Sequence, residues 1–335
     1  MRKSLAVFCP LFFAGFVFYF GNSSNEQTGF VNDSQKRTLT VIGCAPVYDD
    51  FEAGPNGKFI PIMPGWGQHA YVISTAIDST QLYFNQGLTM YYSYHSREAV
   101  ASFREAARFD STNAMVYWGQ ALAMGPSYNF GYAYKMRSSV PAILEKMNRY
   151  AATASPKEKD LITAMNSRYD VRDTSDKERK ALNATYAEAM KPLVNKYVED
   201  AEIKALYTDA VMLIHAWDFW NNDGTPKAWT AELVRYCKDI LARDPQHPGA
   251  LHYYIHLTEA SRQPQVGLAS ADSLRKLFPG VAHMVHMSSH EYERLGQYAK
   301  GVKANEEADK SLVLYESLAK GLYPLSVHVP HYYSV

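Results

Sequence analysis

From about Gln81 onward, apolar residues recur at helical spacing, and no long strand-type alternation interrupts them. Gly and Pro fall mostly at segment ends, as in Gly125-Pro126, Ser155-Pro156, Asp244-Pro245 and Phe278-Pro279-Gly280. Such punctuation closes helices, because proline has no amide proton to give and glycine accepts the left-handed turn. The pattern predicts an all-α domain over residues 81–335. Residues 24–80 differ. They are rich in Gly, Pro, Asn, Asp and Ser, with short β-prone pieces such as residues 39–42, and they predict an irregular N-terminal arm.

The helical part repeats itself. Pro245 and Pro279 lie 34 residues apart, and each closes a helical segment, ILARDP and LRKLFP. That period and terminal proline resemble the tetratricopeptide repeat (TPR), a helix-turn-helix unit. Residues 80–113 fit the same frame. Gly87, Ala99, Phe103 and Ala106 stand where the repeat wants small, small, large and small residues, and Ser111 replaces the proline. Residues 282–315 give a further copy, with Gly296, Tyr298, Asn305 and Ala308 in register. Residues 137–243 are helical but irregular, and DFWNNDGTPK (218–227) reads as a loop between two helices. The resemblance implies a right-handed α-solenoid of helix-turn-helix repeats, each pair burying its apolar face against the next.

The frame exposes an array of histidines. HYYIHLTE, from His252 to Glu259, and HMSSHEYE, from His286 to Glu293, carry the same HxxxHxxE spacing 34 residues apart. His283 adds one more imidazole ahead of the second copy. Spacings of four and three place each His, His and Glu on one stripe of a helix. Because TPR units line a concave groove with these positions, the resemblance implies that both stripes face one groove.

Neutral imidazole is a common metal ligand, and carboxylates complete or support its coordination. Two histidines at i and i+4 can hold one ion from a single helix. The motif lacks the glutamate that follows the first histidine in HExxH metalloproteases, so their mechanism does not transfer. Nitrogen ligands suit Zn, Cu, Fe or Ni better than Mg or Ca. The expected ligands are His252, His256, His283, His286 and His290 with Glu259 and Glu293. Two other readings fit the same residues: a groove that binds a peptide or protein partner through histidine without metal, and histidines that only pack. His215, His247, His328 and His331 read as structural or solvated.

Lys+Arg and Asp+Glu both number 34, so the formal net charge is +0. That removes the bulk electrostatic case for nucleic acid or an anionic membrane as partner. No GK[ST] phosphate loop, strand-borne GxGxxG or GxSxG is present. Arg2 and Lys3 precede an apolar run over residues 5–20, with Gly21 and Ser23 as small residues after it. This is signal-peptide anatomy over residues 1–23, and it predicts export to the periplasm or cell envelope. Cys44, in Val41-Ile42-Gly43-Cys44, resembles a bacterial lipobox, a second way to reach the membrane. With Cys9 in the signal, only Cys44 and Cys237 remain for a disulfide, and two cysteines so far apart carry little weight.

The stretches YFNQGLTMYYSYHSREAVASFREAARFDSTNAMVYWGQALAMGP, DPQHPGALHYYIHLTEAS and HMVHMSSHEYERLGQY resemble a group of exported bacterial TPR proteins. The likeness spans most of residues 65–331. It implies a role for His252, His256, His283, His286 and His290, and for His69 and His95 beside them. It brings no reaction with it. Ser288 stands where the group commonly has Pro, and Pro330-His331 is followed by only four residues, where the group continues with further helices.

Overall fold

The computed structural model describes residues 56–129, 134–172 and 176–318, together with Ala53. The expected signal, the lipobox-like Cys44 and the terminal His328 and His331 lie outside the described residues. Among the described residues, twelve α-helices account for most of the structure. They are α1 (Asp78–Tyr92), α2 (Ser96–Phe109), α3 (Ala114–Ala123), α4 (Val140–Tyr150), α5 (Pro156–Asn166) and α6 (Asp176–Lys196). The second half holds α7 (Ala201–Ile214), α8 (Thr230–Arg243), α9 (Pro248–Thr258), α10 (Leu268–Leu277), α11 (Ala282–Arg294) and α12 (Tyr298–Leu318). Among the described residues the only β pairing is an isolated bridge, Trp220 with Pro226, inside the loop expected at 218–227.

Helix starts follow local chemistry. At α5, Ser155 accepts from the Glu158 amide while the Glu158 side chain accepts from the Ser155 amide, a reciprocal cap with Pro156 in the first turn. Asn113 caps α3, and Asp200 caps α7. His247 caps α9, its Nδ1 accepting the Ala250 N–H at 3.2 Å, ahead of Pro248.

Each helix packs on the next, and alternate helices also meet: α1 with α3, α3 with α5, α7 with α9, and α9 with α11. The first helix, α1, also touches α9. Close packing explains the small residues of the sequence pattern. A Cβ on Gly87 would lie 2.7 Å from the Phe103 ring, and one on Gly119 would lie 2.5 Å from it. Phe103 therefore fills the space those glycines leave, packed on Phe84, which in turn stacks on Trp118, all fully buried.

Residues 56–77 carry no helix or strand. They are nonetheless tied down. The Met63 amide donates to Gln86 Oε1 at 2.8 Å, and Gly280 N–H donates to the Gly65 carbonyl at 2.9 Å. Ser74 Oγ donates to Glu158 at 2.6 Å, and Ile60 and Trp66 are buried in the main core. Among the described residues no helix is long and apolar enough to cross a membrane. Cys237 is buried on α8, while Cys44 is outside the described residues.

Candidate metal-binding site

α9 contributes His252 and His256, one turn apart; α11 contributes His283, His286 and His290. The two helices are in contact, and the stripes meet in the interior. His252, His283 and His286 are 0% exposed and His256 is 2% exposed. The imidazoles are thus enclosed between helices rather than spread along an open groove. One nitrogen each of His252, His256 and His283 lies within 4.8 Å of the others.

The partners of the Nδ1 atoms decide the tautomers. His252 Nδ1 lies 2.6 Å from the Tyr92 carbonyl, which can only accept, so Nδ1 carries the proton. His256 Nδ1 donates to Glu259 Oε1 at 2.9 Å, and His290 Nδ1 donates to Glu259 Oε2 at 2.7 Å. His286 Nδ1 donates to Asn305 Oδ1 at 2.7 Å. Every one of these anchors leaves Nε2 as the nitrogen for a ligand, which is how metal-binding imidazoles are oriented. The Nε2 atoms then approach one another: His252 and His283 at 3.3 Å, His286 and His290 at 3.1 Å. Two nitrogens about 2.0–2.1 Å from one tetrahedral ion stand roughly 3.3 Å apart. His256 Nε2 is buried and has no hydrogen-bond partner among the described residues.

Glu259 closes α9 and joins it to α11 through its two oxygens. Burial pushes its carboxyl up, but the charge on His290 and the hydrogen bonds from His256 and His290 outweigh burial and hold it well below the usual carboxylate range. His290 shows the reciprocal effect: burial opposes its charge, Glu259 favours it, and the net shift is upward. His252 is pushed well below the usual imidazole value by burial and then by His256, so it stays neutral with its Nε2 lone pair available.

Glu293 is not brought to the cluster. It is exposed, and it makes none of the hydrogen bonds that hold the imidazoles. Its counterpart Glu259 lies just past the end of α9, whereas α11 runs on through Glu293 to Arg294. The carboxylate on the inside of α11 is Glu291, fully buried, both oxygens without a partner among the described residues. Burial, then the charge of Glu259, pushes Glu291 up to about 8. Its bulk lies over Gly267, where a Cβ would meet Glu291 Oε1 at 2.2 Å.

His69 and His95 lie apart from the five imidazoles. His95 stands at the start of α2, its ring 5.5 Å from Trp66 in a T-shaped pair and its Nδ1 3.8 Å from Glu98. His69, from the arm, belongs to a second buried group with Glu202 and His247. His69 Nε2 is 3.0 Å and His247 Nε2 3.5 Å from Glu202 Oε2, and the Tyr92 hydroxyl donates to the other oxygen. Although its spacing suits an ion, the tautomer does not. His247 Nδ1 accepts the Ala250 amide, so the ring's proton sits on Nε2, 3.5 Å from the carboxylate oxygen but outside hydrogen-bond geometry. This group reads as a carboxylate held by His69 and the Tyr92 hydroxyl, with His247 3.5 Å away. His215 stacks on Trp229 at 3.5 Å in the loop.

Three aromatic rings wall His256: Tyr128 at 5.1 Å, Trp217 at 5.7 Å and Tyr94 at 6.0 Å. Tyr94 and Trp217 are the only described non-glycine residues with positive φ, at 58° and 62°. A bulky residue in the left-handed region costs about 1–2 kcal/mol. Both strained positions therefore border one imidazole, the kind of clustering seen at functional sites. The Trp217 amide donates to the Tyr128 hydroxyl at 3.2 Å, while 61% of the residue stays exposed at the site's edge.

Several members of this arrangement carry no sequence signal. A backbone carbonyl at Tyr92 has none, Asn305 is one amide in a polar helix face, and Glu202 is 133 residues from His69. Compared with protein-family models and with curated proteins, the chain finds no match.

Proposed function

We propose that this is an exported protein of TPR type whose buried histidine cluster binds a transition metal. His252, His256 and His283 supply Nε2 ligands, and His286 and His290 stand beside them. Glu259 orients His256 and His290 from behind. The observation that carries the reading is the shared pattern of the Nδ1 anchors: a carbonyl, a carboxylate used twice and an amide oxygen each accept a hydrogen bond from Nδ1, leaving Nε2 for an ion. An all-nitrogen set favours Zn, Cu, Fe or Ni. The repeat reading is supported by the helix pairs α1–α2, α9–α10 and α11–α12, which fall on the three copies of the 34-residue frame. A metal-free peptide scaffold would need these side chains at an accessible surface, and their burial favours the ion.

Elemental analysis of protein purified without a histidine tag tests this. About one equivalent of a single transition metal per chain is expected, lost in a His252→Ala, His283→Ala variant that keeps its helical circular dichroism. Full occupancy in that variant overturns the assignment.

A further inference from the structure

Tyr94 is the residue that the metal reading leaves without a role. It follows α1 in a helix-ending turn: the Tyr94 amide donates to the Tyr91 carbonyl at 3.0 Å and the His95 amide to the Met90 carbonyl at 2.9 Å. The left-handed residue of such a turn is usually glycine. Here it is a tyrosine with φ 58°, buried, its ring 4.5 Å from His252, 5.6 Å from His283 and 6.0 Å from His256. These are the three imidazoles whose nitrogens converge. Its hydroxyl is buried and has no hydrogen-bond partner among the described residues.

Packing alone accounts for neither feature. Glycine would relieve the backbone, and phenylalanine would fill the space without burying an unpaired donor, which is costly to leave unmade. Nearby phenols differ: Tyr91, Tyr92 and Tyr253 all donate to carboxylates. Tyr94 is a buried donor with no acceptor among the described residues. Three imidazoles leave a tetrahedral ion one open position for a water or another small ligand.

We infer that the Tyr94 hydroxyl donates a hydrogen bond to the oxygen of a small ligand, a water or a carboxylate, bound at the open position of the His252–His256–His283 centre. The inference rests on the metal reading. Tyr94 selects oxygen-bearing ligands that can accept, and its strained backbone keeps the phenol at the imidazoles.

The test uses the full chain loaded with Co(II), whose visible spectrum reports ligand exchange, titrated with acetate. In Tyr94→Phe, acetate binding should weaken about tenfold, the effect of one lost buried hydrogen bond, while Co(II) affinity stays within about twofold and the spectrum without acetate shifts only where water is bound. Metal-free Tyr94→Phe should melt at or above the wild type, because an unpaired buried hydroxyl has been removed. Unchanged acetate affinity overturns the inference, as does a lower melting temperature of the metal-free variant, which would show a partner within the resting fold. Loss of Co(II) itself in the variant makes Tyr94 a ligand and also overturns it. A wild type that takes up no Co(II) overturns the metal reading, and this inference with it; Co(II) uptake with unchanged acetate binding overturns this inference alone.

Discussion

His252 and Tyr92 are joined by a hydrogen bond of 2.6 Å from the imidazole Nδ1 to the backbone carbonyl. One contact links the end of α1 to the middle of α9, and a ring that binds on its other nitrogen is aimed by backbone 160 residues away. Tyr92 is fixed in turn, because its hydroxyl donates to Glu202, which also pairs with His69 and lies 3.5 Å from His247. The second buried group thereby supports the first: it holds the residue whose carbonyl holds a candidate ligand.

This coupling predicts the behaviour of Gly249→Ala. A Cβ there would meet Tyr92 Cδ1 at 2.7 Å and Cε1 at 2.9 Å. The ring is fully buried and tethered through its hydroxyl, so it cannot swing aside. Overpacking of this kind costs about 1–3 kcal/mol, or about 1–2 °C of melting temperature per kcal/mol for a chain of this size. Displacing Tyr92 also displaces the His252 anchor, so metal affinity should fall together with stability. Thermal melts and competition with a chelator read the two effects; a variant that loses stability and keeps full affinity would uncouple the groups.

Glu259→Gln should lower metal affinity about 10–100-fold, the usual effect of removing a group that orients a ligand. The amide can accept from only one of the two imidazoles that the carboxylate now serves. Glu293→Gln is the matched control, since Glu293 is exposed and makes none of these hydrogen bonds. Chelator competition should separate the two variants, and equal losses would show that the effect is bulk charge rather than orientation.

The contrast between those glutamates marks how far the sequence could be read. Helical periodicity and a 34-residue recurrence are local and translational properties, so the helix pairs and the stripes of His252, His256, His286 and His290 were legible from spacing. The same spacing makes Glu259 and Glu293 equivalent. Glu259 keeps helical backbone at the end of α9 and is covered by α11 through His290, while Glu293 stands exposed, so what separates them is the structure packed around each stripe. Glu291 was passed over because it lies off the stripe, yet burial is decided by what covers a position, here the space over Gly267. The anchors were out of reach for another reason: Tyr92 acts through its carbonyl, and His69 meets Glu202 only because the arm folds back over the helices.

That last contact has a pH signature. Burial opposes the charge on His69, but Glu202, by its charge and its hydrogen bond, outweighs burial and raises the imidazole above 6.5. Glu202 is pushed up by burial and pulled down further by His69 and His247, ending well below its usual 4.5. A raised histidine contributes stability that is complete below 6.5 and is lost as pH rises through its folded value. A depressed carboxylate contributes stability that is complete above 4.5 and is lost as pH falls through its folded value. The pair therefore contributes most between 4.5 and 6.5. In metal-free protein, the melting temperature of His69→Gln should fall furthest below the wild type in that window, and the gap should narrow as the solution becomes alkaline. Proteolysis within residues 56–77 should follow the same profile, because His69 is one of the points that tie the arm to the helices. A gap that stays constant from acid to alkaline pH would show that the His69 ring is held by packing and that its charge contributes nothing to the latch.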